Sequence, residues 1–128
     1  RHVDGCDTGF YLQSILAEQQ VWEETALIAS ETAACFEKEI AVLAEEIDGF
    51  RASGEPSERL GRQIAHRQDT IDADRRMQAT AQFNTAVALY DLQQPEDARL
   101  FVQLVLDNPQ FADRARALLA ELDRFDPH

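Results

Sequence analysis

The stretch Glu18-Gln19-Gln20-Val21-Trp22-Glu23-Glu24 lies midway between the two cysteines of the chain, Cys6 and Cys35. It is polar and turn-like, and helix-forming sequence lies on both sides of it. If the chain reverses direction at Gln20–Val21, residues equally distant from the reversal lie side by side, and the two thiols come within bonding reach. We therefore predict a disulfide between Cys6 and Cys35 that ties together an N-terminal helical hairpin over 7–35.

One continuous helix is the alternative for the same region. Apolar residues recur at spacings of three and four, with Gln19 as the one polar member; they are Leu12, Ile15, Trp22, Ala26, Ala29, Ala33, Phe36, Ile40, Leu43, Ile47 and Phe50. This pattern also fits a single helix over 8–52, in which the two thiols would be roughly 40 Å apart and unable to bond. Such a helix would suit a coiled-coil structural or oligomerisation element that pairs with its copy in a second subunit.

A second stretch favours the turn. Gln93-Gln94-Pro95-Glu96-Asp97-Ala98 resembles the residues that begin at Gln19, and an apolar helical segment lies on each side of it. Proline suits the first position of a helix, because an N–H at that position has no partner within the helix. Pro56 and Pro109 are expected to mark helix starts in the same way, with a side-chain cap from Asp107-Asn108. The expected helices are near 8–19, 22–52, 57–92, 95–107 and 110–123.

The bulk composition is typical of a folded helical protein. The chain has 128 residues, 45% of them hydrophobic, with five glycines and four prolines. Its common residues are good helix formers, and we expect a single all-α domain over 1–128, arranged as a five-helix bundle. The net charge of −12 argues against nucleic acid as a partner. No apolar run is long enough to cross a bilayer, so we expect no membrane insertion.

The two long segments are predicted to form a central antiparallel helix pair over 22–92. Folding 22–52 against 57–92 about Gly54 brings apolar residues together along most of the pair. Long polar side chains interrupt this seam at three core positions: Arg67, Asp74 and Gln78. These side chains either extend to water or mark a surface that another chain covers. The tip of the pair, 45–65, is expected to project, because no segment remains to cover it.

The region 82–122 resembles the tetratricopeptide repeats. The resemblance is carried by Phe83-Asn84, Ala86, Ala88, Leu89-Tyr90, Ala98, Val102, Val105 and Leu106, which stand near the positions of that family's helix-turn-helix signature. Thr85, Pro95 and Pro109 depart from it. A looser match covers 12–33, where Trp22 supplies the aromatic residue after the turn.

This resemblance implies tetratricopeptide-like hairpins, including a C-terminal part over 82–123, and a function in binding a protein or peptide. Asn84 corresponds to the asparagine with which grooves of that family contact a ligand backbone or carboxylate. The basic partners of such a contact are missing, since Lys38 is the single lysine. Trp22 is the second candidate partner-binding residue, although its register also suits the core. Solenoids of this kind often need three repeats, so a fragment of a longer repeat protein is one interpretation of this sequence.

No catalytic, cofactor or metal-binding motif was found. The histidines are His2, His66 and His128, and none belongs to a Glu-x-x-His pair. The cysteines lack CxxC spacing and a nearby histidine. We therefore predict a non-enzymatic interaction module without a cofactor, and a helical-bundle enzyme or metal carrier remains the less favoured alternative. The expected partner is a protein or peptide, and a second copy of the chain is a further candidate.

The expected disulfide bears on localisation. Structural disulfides persist in oxidising compartments, so we expect an extracytoplasmic bacterial protein, periplasmic or secreted. The sequence begins at Arg1, which suggests either a piece of a longer chain or a mature form whose leader has been removed.

Overall fold

The computed structural model describes residues 4–54 and 57–125. Within these ranges the chain forms five helices and no strand: α1 (Asp4–Glu18), α2 (Trp22–Ala52), α3 (Glu58–Asp91), α4 (Pro95–Leu104) and α5 (Ala112–Phe125). The predicted all-α class with five helices is confirmed.

The chain leaves α1 through a tight turn at Gln20, whose φ of 59° lies in the left-handed region. The backbone N–H of Gln20 donates to the carbonyl of Ala17, and that of Val21 donates to the carbonyl of Leu16, both at 3.0 Å. This pair of bonds is a Schellman motif, which satisfies the last carbonyls of a helix and ends it. The alternative of one helix over 8–52 is therefore wrong.

The turn after α3 repeats this geometry. Gln93 has a φ of 60°, and its N–H donates to the carbonyl of Tyr90 at 3.0 Å. The N–H of Gln94 donates to the carbonyl of Leu89 at 2.9 Å, and Pro95 is the first residue of α4. The two turns therefore correspond when Gln20 is aligned with Gln93. The sequence comparison had aligned Gln19 with Gln93, which is one residue off.

The correspondence of Gln20 with Gln93, an offset of 73 positions, extends to the buried residues on both sides of the turns. At this offset, residues that are at most 5% exposed coincide: Cys6 with Ala79, Thr25 with Ala98, Ala29 with Val102, and Thr32 with Val105. Two stretches of the chain therefore share both a turn geometry and a pattern of buried faces.

The remaining helix boundaries differ from the prediction by a few residues. The hydroxyl of Ser57 accepts the N–H of Leu60 at 3.1 Å and caps α3, whereas Pro56 lies outside the described residues. Helix α4 ends at Leu104, three residues early. Helix α5 begins two residues late, because Phe111 and Ala112 both donate to the carbonyl of Asn108 and form a turn first. The Gln110 N–H donates to Asn108 Oδ1 at 2.9 Å within this turn, two residues before α5 begins.

Helix α3 is the centre of the molecule and contacts every other helix. Helix α1 also packs on α2, and α4 packs on α5, whereas no described Cα atom of α2 lies within 8 Å of one in α4. The largest buried cluster joins the last part of α3 to α4 and α5 and consists of Ala79, Phe83, Ala86, Leu89, Ala98, Val102, Val105, Phe111, Ala115 and Leu122. Its two phenylalanine rings stack with centroids 5.1 Å apart, and Arg114 lies over both rings.

The end of the long helices around Gly54 is much less buried. Among the described residues of 45–65, Ile47 alone is buried. Residues late in α2 contact residues early in α3, as in the ion pair of Glu46 with Arg67. Earlier residues of α2 contact later residues of α3, as in the bond from Gln78 to the carbonyl of Ala33.

The apolar repeat of α1 does not mark its buried face. Leu12 and Ile15 are 43% and 52% exposed, whereas Gln13 between them is completely buried. The cause is a close crossing with α2, where a Cβ added to Gly9 would lie 2.5 Å from Thr32 Oγ1. This crossing turns the face of Gly9 and Gln13 inward, and Leu12 is left on the outer side.

A candidate binding groove between helices α2 and α3

A groove with a volume of about 790 Å³ lies between α2 and α3. Helix α1 contributes Asp7 at one end, and α2 and α3 supply the rest of the lining. Its apolar side chains include Val42, Leu43 and Met77. Val42 is 54% exposed. The site therefore offers apolar contact area together with charge.

The acidic residue at the centre of the site is Asp74. It lines the groove although it is only 3% exposed. Its Oδ2 atom is buried and accepts no hydrogen bond from the described residues. A buried carboxylate oxygen without a donor is costly, which makes Asp74 the least satisfied polar group of this site.

The surroundings of Asp74 oppose its ionisation. Burial raises the pKa of Asp74 from 3.8 to about 7, with further contributions from a hydrogen bond to Glu39 and from the negative charges of Glu39 and Asp7. Two ionised carboxylates only accept hydrogen bonds, so a bond between Asp74 and Glu39 requires a shared proton. The three residues come from α1, α2 and α3, which pack together.

The charges that line the groove are unbalanced. Five carboxylates, Asp7, Glu39, Glu46, Asp69 and Asp74, stand with one guanidinium, Arg67, and with His66. The Nε atom of Arg67 donates to Glu46 at 2.7 Å, an Nη atom donates to Gln63 Oε1 at 2.7 Å, and the guanidinium lies 4.8 Å from the centre of the Phe50 ring. The single arginine of the groove is thus already committed to partners near the tip.

A second groove between the same two helices has a different character. It measures about 560 Å³ and its charged lining residues are Asp48, Asp72, Arg51 and Arg75. Two acids and two arginines balance there, so the excess negative charge is specific to the first groove.

The three polar residues predicted at core positions have different environments. Arg67 is partly exposed and paired with Glu46. Gln78 donates to the carbonyl of Ala33 at 3.3 Å and to Glu37 at 3.4 Å. Asp74 is buried and faces Glu39. Two of the three are therefore paired with groups that complement them, whereas the neighbour of Asp74 is another acid.

Cys6 and Cys35 lie at disulfide distance, as predicted. Their Sγ atoms are 2.00 Å apart and their Cα atoms 5.6 Å apart, across a sequence separation of 29. The bridge holds the first part of α1 against the middle of α2 and brings Asp7, the next residue, to the end of the groove.

The two candidate partner-binding residues lie away from this groove. Trp22 is the first residue of α2 and is half-buried. Asn84 donates from Nδ2 to Gln13 Oε1 at 2.8 Å and thereby links α3 to α1. Gln13 also donates from Nε2 to the carbonyl of Phe10 at 3.0 Å and to Ser14 Oγ at 2.8 Å. The amide of Asn84 is thus part of an interhelical network, and its role in binding stays a prediction.

Sequence reasoning missed Asp7, Glu39 and Gln13. The signal for Glu39 was present, because the pairing that sets Glu46 opposite Arg67 also sets Glu39 opposite Asp74. Asp7 could have been found from its position next to Cys6. Gln13 carried no signal, since a glutamine in a helix is usually exposed.

His66 is exposed at the groove, and His2 and His128 lie outside the described residues. In the ranges 4–54 and 57–125, no group of three or more histidine, cysteine or acidic side chains has an arrangement that could hold a metal ion. None of the described helices combines the length and apolar character needed to span a bilayer. No protein-family model, curated protein or solved structure matches this chain.

Proposed function

We propose that the chain is a non-enzymatic interaction module with a tetratricopeptide-like helical scaffold, and that it binds a protein or peptide partner. In this proposal α1 pairs antiparallel with the first part of α2, and the last part of α3 pairs antiparallel with α4. The offset of 73 positions that relates the turns at Gln20 and Gln93 supports two equivalent hairpins. The contacts support the same stacking, since α3 touches all other helices and α2 does not approach α4.

The remainder of the long helices then forms an antiparallel extension between the two hairpins, over 36–52 and 58–76. This interpretation explains why the long helix pair has little burial at its tip while its other end lies in the core. An extension of this kind adds a surface that a compact pair of hairpins would lack. The proposed partner-binding surface is the groove of about 790 Å³ on this extension.

The observation that carries the proposal is the combination of exposed apolar and charged side chains in that groove. Val42 is 54% exposed beside Leu43 and Met77, and the carboxylates stand around them. Apolar contact area bordered by charges is typical of surfaces that bind peptides.

The paired cysteines also support an oxidising compartment. We therefore propose an extracytoplasmic location. Thiol counting on denatured protein isolated without reductant from its own cells tests this part of the proposal. Absence of free thiols is expected, and two free thiols would contradict it.

A selection from a random peptide library displayed on phage tests the binding function. We expect peptides with micromolar affinity whose binding is lost in Val42→Arg, because a long charged side chain would fill the groove. Leu104→Arg is the matched control, since Leu104 is 61% exposed on α4 and lies outside the groove. Fluorescence anisotropy with each variant gives the affinities.

Two outcomes would contradict the proposal. The first is that selection yields no peptide above background. The second is that Val42→Arg and Leu104→Arg bind the selected peptides equally well.

A further inference from the structure

Asp74 is a buried acidic residue on the lining of the groove. The residue is only 3% exposed, and no described residue donates to its buried Oδ2 atom. Replacing a buried polar side chain of this kind by an apolar one is often neutral or stabilising for a protein. A carboxyl pair that is held together by a shared proton, on the lining of an open groove, can exchange that proton for a donor from outside the chain.

The neighbouring groups make that donor a cation. Asp7 and Glu39 face Asp74 from α1 and α2 and add negative charge. None of the ion pairs among the described residues includes Asp74, and Arg67 is engaged by Glu46. The net charge of −12 would also attract a positively charged partner over long distances.

A metal ion fits the site poorly, because the described carboxylates lack an arrangement of three or more metal-binding groups. An ammonium or guanidinium group suits it better, since each carries several donors and needs fewer fixed ligands. The apolar residues Val42, Leu43 and Met77 line the same groove and would accommodate the methylene stem of such a side chain.

We propose that the Asp74–Glu39 end of the groove binds a basic side chain, a lysine or arginine of a partner protein, through hydrogen bonds to the two carboxyl groups. This inference rests on the proposed peptide-binding function and names the chemistry that the partner presents. In the free protein a shared proton satisfies the carboxyl pair. The incoming cation replaces that proton, which is released to solvent.

Proton release gives the site a pH dependence. The pKa of about 7 for Asp74 means that the carboxyl pair keeps its proton in mildly acidic solution. Other ionisable or charged groups that line the groove are Asp7 on α1, Glu46 on α2, and His66, Arg67 and Asp69 on α3. We expect a basic ligand to bind on the order of tenfold more weakly at pH 5.5 than at pH 8, because it competes with the proton.

The probe for the experiment is N-acetyl-arginine methylamide, and the matched neutral probe is the citrulline analogue, which has the same shape without the charge. Each probe is titrated into ¹⁵N- and ¹³C-labelled protein at pH 8 and at pH 5.5. We expect the arginine probe to shift the carboxyl carbon signals of Asp74 and Glu39, and the citrulline probe to leave them unchanged.

Substitutions in the groove test which residues bind the arginine probe. Asp74→Asn and Glu39→Gln should each weaken binding of the arginine probe roughly tenfold, because each removes one of the two charged acceptors. Asp48→Asn is the control with the same loss of charge, since Asp48 lines the second groove. His66→Gln should keep the pH dependence, which separates His66 from Asp74 as its source.

The inference is overturned if arginine and citrulline probes bind alike, or if Asp48→Asn weakens binding as much as Asp74→Asn does. Its failure is distinguishable from failure of the proposed function. Phage-selected peptides whose binding depends on Val42 but that contain no lysine or arginine would support the proposed peptide-binding function. They would contradict the inference that the groove binds a basic side chain.

Discussion

The two ends of the long helix pair are held by different forces. At one end, α3 packs on α4 and α5 through a cluster in which Ala98, Val102, Val105, Ala115 and Leu122 are fully buried. At the other end, around Gly54, Ile47 is the sole buried residue among the described members of 45–65. Contacts near this second end are largely polar, as in the ion pair of Glu46 with Arg67.

This difference indicates which end supplies the stability of the fold. Buried apolar side chains contribute about 1.5–3 kcal/mol each, whereas partly exposed ion pairs contribute about 0–1 kcal/mol. The packed end therefore supplies most of the free energy of folding. The groove lies between the two ends, since most of its lining residues are outside 45–65.

The largest expected loss of stability comes from a substitution at the packed end. Leu122→Ala should lower the free energy of unfolding by about 3–4 kcal/mol, because Leu122 is fully buried and its removal leaves a cavity. Leu104→Ala, at a leucine that is 61% exposed, should change it by less than about 0.5 kcal/mol. Urea denaturation followed by circular dichroism gives both values. Equal losses in the two variants would show that the packed end is not the source of stability.

The second prediction asks how α1 is held to the rest of the molecule. Cys6→Ser opens a loop with a sequence separation of 29, which should lower the free energy of unfolding by about 3 kcal/mol. Cys35→Ser should have a similar effect, and reductant should destabilise the wild type but neither variant. A variant that is as stable as the oxidised wild type would mean that packing alone holds α1.

The third prediction concerns the acidic groove. Because the pKa of Asp74 is raised from 3.8 to about 7, the folded state binds more protons than the unfolded state between these values. Stability should therefore fall as pH rises through this window, by at most about 1.4 kcal/mol per pH unit. Asp74→Asn should flatten this slope and be the more stable protein at pH 8. Parallel pH profiles of wild type and variant would rule out Asp74 as the cause.

The smallest effect lies near the tip. Arg67→Ala should cost about 1 kcal/mol, since its guanidinium pairs with Glu46 and covers the Phe50 ring. Arg62→Ala removes an ion pair with Glu58 in which the two side chains are 73% and 96% exposed, and no measurable change is expected. Thermal unfolding of both variants under the same conditions provides the comparison. A loss for Arg67→Ala as large as that for Leu122→Ala would remove the distinction between the two ends.

Much of the helical arrangement could be predicted from local sequence. Pro95 and the paired glutamines located the turns, and the positions of Cys6 and Cys35 on either side of Gln20 led to their pairing. These signals work because turns and helix starts depend on a few residues close in sequence. The register of the repeated turn was one residue off, since sequence similarity does not show which glutamine adopts the left-handed conformation.

The parts that failed depend on contacts distant in sequence. The periodicity of α1 placed Leu12 in the core, but the close approach of Gly9 to Thr32 rotates the helix and buries Gln13 instead. Asp74 was recognised as a polar residue at a core position. The raised pKa of Asp74 could not be predicted from the sequence, because this shift arises from burial and from carboxyl groups on two other helices.

Residue-resolved hydrogen exchange tests most directly whether the packed end holds the fold while the sparse end is free to open. Amide protons of buried residues in 79–122 should exchange only with global unfolding, at the free energy measured by denaturation. Amide protons of 45–52 and 60–66 should exchange through local opening, at a free energy several kcal/mol lower. Uniform protection along the whole of α2 and α3, at the global value, would contradict the division of the molecule into these two ends.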